Sequence, residues 1–114
     1  MKQKKQYIAV DLGAESGRVM LGSVSEDKLV LEEIHRFNNG PISAGRLTAE
    51  EGGSLRWDFN RLLSEIKTGI GRAVKAANGR VSGIGVDSWG SDFGVTGANG
   101  KLLENPYHYR DSRT

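Results

Sequence analysis

The chain has 114 residues, 37% of them hydrophobic and 26% charged, which suits one small domain with a modest core. Its formal net charge is only +2, and Lys2, Lys4 and Lys5 supply most of that excess, so neither nucleic acid nor an anionic membrane is an expected partner. There is no cysteine, which excludes a disulfide framework and a thiolate metal site and suits the cytoplasm.

Asp11 interrupts the first apolar run well short of the roughly 18 residues of a membrane span, and a signal peptide is not expected for the same reason. Residues 1–6 form a polar tail that reads as flexible. Tyr7–Leu12 and Arg18–Val24 are rich in strand formers and flank a polar turn containing Gly13 and Gly17. Those glycines supply the freedom that a tight turn needs for positive φ or for close approach to a ligand. A turn of this kind aims successive backbone N–H groups at one spot, which suits a phosphate. Asp11, at the strand end beside it, is of the right chemistry to hold a divalent cation through water. Glycines between two strands are, by themselves, usually just a hairpin.

Ser25–Lys28 reads as a hairpin turn and Leu29–Phe37 as a third strand, antiparallel to the second. Asn38-Asn39-Gly40-Pro41 ends that sheet. Residues 42–53 show no period and read as a long loop insertion, either mobile or near a ligand. Ser54–Trp57 reads as a short strand and Asp58 as a helix N-cap. Phe59, Leu62, Leu63, Ile66, Ile70, Ala73, Val74 and Ala77 then recur at helical spacing, and Asn78-Gly79 stops the helix. Gly69 and Gly71 each cost that helix about 1 kcal/mol, for which close packing is one reason. Val81–Val86 is a strand leading into Asp87, expected to run parallel to the first. Phe93–Thr96 and Lys101–Leu103 flank Gly97–Gly100 as a hairpin extension. The predicted fold is α/β with a mixed sheet: three antiparallel strands, a helix, then a parallel strand.

Asp87-Ser88-Trp89-Gly90-Ser91-Asp92-Phe93 gathers two carboxylates, an indole and a glycine at a strand end, where ligands usually sit in α/β sheets. These are the groups that bind a polyol, although a β-turn with Trp89 filling core reads equally well from the chemistry. Paired carboxylates also serve glycoside hydrolysis, but nothing in the sequence fixes their separation. His35 and His108 lack metal-ligand spacing and read as ordinary histidines.

The order Asp11-x-Gly13-x-x-Ser16-x-Arg18 resembles the first phosphate motif of the actin, hexokinase and heat-shock ATPase superfamily, and within it the FGGY carbohydrate kinases. His35–Gly40, Trp57-Asp58, Val86–Phe93 and Tyr109–Thr114 follow in an order similar to the rhamnulokinase branch of that family, spanning nearly the whole chain. The resemblance implies a ribonuclease-H-like, actin-like ATPase fold that uses ATP and Mg²⁺. It gives Asp11 the metal role and lines the phosphate turn with Gly13, Ala14, Glu15, Ser16, Gly17 and Arg18. Glu15 stands where many relatives carry a hydroxyl, so its charge must be offset by Mg²⁺ or Arg18, or turned to solvent. Gly90 becomes a ketose contact, with Trp89, Asp87 and Asp92 as its neighbours. The implied reaction moves the γ-phosphoryl group of ATP to L-rhamnulose, with another ketose, fuculose or a pentulose, as an alternative. A non-catalytic sugar- or nucleotide-sensing module of the same fold is a third reading.

The family's catalytic base and second lobe are expected beyond Thr114. The chain is therefore expected to be a partial N-terminal lobe, inactive alone and prone to self-association through uncovered surface. Asp111 and Arg113 either help shape the sugar pocket or pair with each other on the surface, of which the pairing is expected.

Overall fold

A computed structural model of the chain describes residues 4–44 and 54–111. They fall into two compact units, one built from the stretch up to Asn39 and from Leu63–Ser88, the other from Gly40–Leu62 and from Trp89 onward. The elements in chain order are β1 (Lys5–Leu12), β2 (Ser16–Ser25), β3 (Lys28–Asn38), β4 (Ile42–Ala44), β5 (Ser54–Arg56), α1 (Phe59–Ala76) and β6 (Gly83–Asp87).

The first unit is a four-stranded sheet in the order β3-β2-β1-β6. β1, β2 and β3 are antiparallel neighbours, and β6 joins parallel to β1. This is the mixed α/β order expected of a ribonuclease-H-like sheet. Alternation decides which face is covered. Ile8, Val10, Val19 and Leu21 are buried with Ala73 and Ala77, and Leu12, Ile34, Ile66, Ile70 and Val81 pack around them. One face of the sheet thus lies under α1.

The helix begins where Asp58 predicts. The Arg61 N–H donates to Asp58 Oδ1 at 3.3 Å, and the Leu62 N–H donates to Asp58 O at 2.9 Å. It ends on Asn78 and Gly79, with φ of 54° and 75°, and the Gly79 N–H donates to Val74 O at 2.9 Å. Its buried stripe is narrower than the periodicity suggests, because Leu63 and Val74 are each 37% exposed. The two helix glycines also differ. A Cβ on Gly69 would run into Val19 and stand 3.3 Å from His35 Cβ, whereas one on Gly71 would meet nothing within 4 Å. Close packing explains Gly69 alone.

Several strand ends shift by one or two residues, β6 starting at Gly83 and not Val81, and two boundaries move for a visible reason. The tail expected over residues 1–6 is strand from Lys5, because Lys5 and Gln6 pair with Val24 and Ser23, and Gln6 O accepts the Ser82 N–H at 2.7 Å. The loop expected over 42–53 opens with β4, which pairs antiparallel with β5; residues 45–53 lie outside the described set.

In the second unit the pair β4–β5 continues into a bridge between Arg56 and Tyr107, where the Arg56 guanidinium lies 3.7 Å from the Tyr107 ring centre. The hairpin at Gly97–Gly100 forms with a single bridge, Thr96 to Leu102, and Gly100 takes the positive φ of 80° at its turn. No helix among the described residues is long and apolar enough to cross a membrane.

Candidate functional site

At one end of the first unit's sheet the strands finish in charge. Asp11 follows the buried Val10, and Arg18 lies between the buried Gly17 and Val19, so both side chains leave the sheet on the face away from α1. They are direct cross-strand partners. Arg18 Nε and Nη2 both donate to Asp11 Oδ2, at 3.2 and 2.5 Å. The parallel register of β6 on β1 then places Asp87 beside Asp11.

Hydrogen bonding by the Arg18 guanidinium, followed by that of Asp87, holds the Asp11 carboxyl below its ordinary value. Asp87 moves the other way, pushed up by the hydrogen bond it shares with the Asp11 carboxylate and then by desolvation. Arg18 is raised by Asp11. Asp11 is therefore the member that ionises first, and Asp87 the one that keeps a proton longer. The Arg18 and Asp11 side chains are 39% and 35% exposed, so water screens the pair and its share in stability is small.

Gly13 to Ser16 carries the chain from β1 to β2, and the Gly13 N–H donates to Ser16 O at 2.9 Å. Neither Gly13 nor Gly17 has a positive φ. Close approach accounts for both. A Cβ on Gly13 would stand 2.9 Å from Ser16 O, and one on Gly17 would fall into the ring of Phe37. What Gly17 admits is thus the protein's own Phe37. The tip residue Glu15 is exposed. From the end of β3, Asn39 reaches back to this turn. Its Nδ2 donates to Gly13 O at 2.9 Å and its N–H to Glu15 O at 2.8 Å.

The second unit holds Trp89, Gly90 and Asp92. Trp89 stacks on Trp57 with ring centres 4.2 Å apart, and both indoles donate to Asp92 Oδ2, Trp57 at 2.5 Å and Trp89 at 2.9 Å. Asp92 is thereby a clamp on two aromatic rings. Gly90 is exposed, and a Cβ there would meet nothing within 4 Å. His108 also packs against Trp57, 4.1 Å between centres, and is fully buried. Burial lowers its pKa, and its Nδ1 accepts the Arg110 N–H at 3.0 Å, so the neutral ring carries its proton on Nε2. Asp111, expected at the surface, is not there. It is buried and accepts the Leu55 N–H at 2.7 Å, which fastens the chain's last described residue to β5; Arg113 lies outside the described residues.

The sequence-predicted site residues therefore form two groups. Asp11, Gly13 to Arg18 and Asp87 belong to the first unit, and Trp89, Gly90 and Asp92 to the second. Among the described residues no three His, Cys, Asp or Glu side chains gather as metal ligands. Three participants escaped sequence reasoning: Asp87 as neighbour of Asp11, Asn39 behind the turn, and Trp57 under Trp89. A signal for the first was present, since Val10-Asp11 and Val86-Asp87 end two strands expected to be parallel. The other two left no local pattern.

No family model matches the chain. Individual proteins do. The rhamnulokinase of Lactiplantibacillus plantarum is 44% identical over 110 residues, covering 96% of this chain. That of Bacteroides thetaiotaomicron is 44% identical over 111 residues, 97% of this chain, and that of Ligilactobacillus salivarius 40% identical over 110 residues. The chain spans 21% of the length of each of these relatives. Along nearly all of its own length, the chain is similar to these rhamnulokinases, as a stretch matching about a fifth of each of them.

Proposed function

We propose that the chain is part of an ATP-dependent carbohydrate kinase of rhamnose breakdown, with residues 13–18 receiving the nucleotide phosphates. The observation that carries this reading is the turn itself. Its carbonyls at Gly13, Glu15 and Ser16 are hydrogen-bonded within the protein, and the Arg18 guanidinium stands at its foot against Asp11. Such a turn meets an anion with amides and a cation. L-Rhamnulose as the acceptor is supported by the name its relatives carry.

The residues also fit Mg²⁺. Asp11 and Asp87 present hard carboxylate oxygens side by side, and the crowding that pushes Asp87 up is relieved by a divalent cation. Asp11 would hold the ion through water. When bound, Mg²⁺ supplies neutralisation of charge on the phosphoryl oxygens. Arg18 orients Asp11 and adds its own positive charge. In the second unit, Gly90 offers bare backbone to the ketose and Trp89 an apolar face for its C–H surface. Asp92, with Oδ2 engaged by both indoles, holds Trp89 in place.

The reaction is transfer of the γ-phosphoryl group to the primary hydroxyl of L-rhamnulose, giving L-rhamnulose 1-phosphate. No residue of this stretch, which matches about a fifth of its relatives' length, is assigned as the base for that hydroxyl. The setting is the cytoplasm, without nucleic-acid or membrane partners. Isolated chains associate through apolar surface such as Ile84 and Val86 on β6, 53% and 63% exposed.

The test is a coupled assay of ADP release by the protein at the length of its relatives, with ATP, Mg²⁺ and a panel of L-rhamnulose, L-fuculose and pentuloses. The highest kcat/KM is expected on L-rhamnulose. Preference for another ketose reassigns the substrate. Phosphorylation of none of them refutes the kinase reading and leaves a sensing module.

A further inference from the structure

We propose that Asn39 is a positioning residue for nucleotide phosphate: it fixes the β1–β2 turn so that an anion meets amide donors instead of carbonyl oxygens. This rests on the phosphate role of residues 13–18.

A turn binds an anion only if its N–H groups, and not its carbonyls, face the charge. Three of the four carbonyls from Gly13 to Ser16 are already occupied, and Asn39 supplies two of the three donors. Its Nδ2 serves Gly13 O and its main-chain N–H serves Glu15 O, while Gly13 itself serves Ser16 O. Asn39 is only 5% exposed, so its carboxamide is confined, and the bond to Gly13 O assigns its nitrogen to that side. The bond joins positions 26 residues apart, tying the end of β3 to the turn. Two residues earlier, within β3, Phe37 covers Gly17 with its ring. One strand end therefore grips the turn at both ends. The backbone donor survives any substitution; the side-chain donor does not.

Aspartate has the shape of asparagine but no donor at neutral pH, and it adds negative charge behind the turn. The two substitutions Asn39→Ala and Asn39→Asp thus separate a donor from a space-filler. Affinity of the chain for tripolyphosphate with Mg²⁺ is measured by calorimetry for wild type and both variants, with thermal melting as a check on folding. Asn39→Ala is expected to weaken binding about 2- to 10-fold, the effect of one neutral hydrogen bond, and Asn39→Asp at least as much. Wild-type affinity in Asn39→Asp overturns the proposal, since volume alone would then suffice. Unchanged affinity in both variants does the same while leaving the phosphate reading intact. No binding by wild type removes both. A second readout needs no variant: in ¹H–¹⁵N spectra of the wild-type chain, the Asn39 side-chain amide should shift together with the amides of residues 14–17 as the anion is added. A stationary Asn39 signal beside moving turn amides contradicts the proposal even if the variants fail to fold.

Discussion

Replacing Gly69 by alanine should destabilise the first unit, while the same change at Gly71 should stabilise it, although the two stand in one helix. Alanine is better than glycine in a helix interior by about 1 kcal/mol. At Gly71 nothing lies within 4 Å of the new methyl group, so that gain is realised in full. At Gly69 the methyl group would overlap a Val19 methyl and stand 2.9 Å from Val19 Cβ. Val19 is 0% exposed, and as a β-branched residue on the middle strand pair it has little rotamer freedom with which to yield. Overpacking of this kind costs about 1–3 kcal/mol, so the two variants should differ by about that amount, with Gly71→Ala the more stable. Urea denaturation followed by far-UV circular dichroism measures the difference, provided the denaturant slopes agree. If Gly69→Ala matches or exceeds Gly71→Ala, the packing of α1 on β2 described above is incorrect.

The carboxyl pair predicts a pH dependence. Asp87 has a folded pKa above 3.8, so the stability tied to its proton is complete below 3.8 and lost as pH rises through the folded value. Asp11 has the opposite sign, stabilising above 3.8 and losing that contribution as pH falls through its lowered value. Asp87→Asn should therefore melt higher than wild type at neutral pH, with the gap closing below 3.8; a lower melting temperature at neutral pH contradicts the pairing. Arg18→Gln removes the main cause of the Asp11 shift, and carboxyl ¹³C titration should find Asp11 moved toward its ordinary value. Asp92→Ala strands both indole N–H groups and should cost about 1–3 kcal/mol with a change in near-ultraviolet circular dichroism; an unaltered tryptophan spectrum rules out the clamp.

Much of the first unit and of the whole of α1 was legible because their signals are local or periodic. Two-residue alternation marks Ile8 and Val10, the Asp58 cap and the Asn78-Gly79 stop are encoded within a few residues, and helical spacing finds Leu62, Ile66, Ile70, Ala73 and Ala77. Periodicity overreached at Leu63 and Val74 because it reports which residues are apolar, while the width of the buried stripe depends on how many strands the helix covers. The site was less readable. Asp11 and Arg18 meet through a hairpin and so lie close in sequence, but Asp87 reaches them only through the parallel register of β6. Asn39 acts across 26 residues and Asp92 across 35 to Trp57, distances at which sequence carries no spacing rule. Gly17 shows a further limit: composition marks a bare position but does not say whether a ligand or, as here, Phe37 fills the space.

The proposed grip of the β1–β2 turn on nucleotide phosphates is tested most directly by titrating the ¹⁵N-labelled chain with ATP and Mg²⁺, and with adenosine as the phosphate-free control. The largest amide shifts should fall on Ala14, Glu15, Ser16 and Gly17 and on the Arg18 guanidinium, and adenosine should not reproduce them. Still signals at those positions up to millimolar ATP would show that the turn is a hairpin and nothing more.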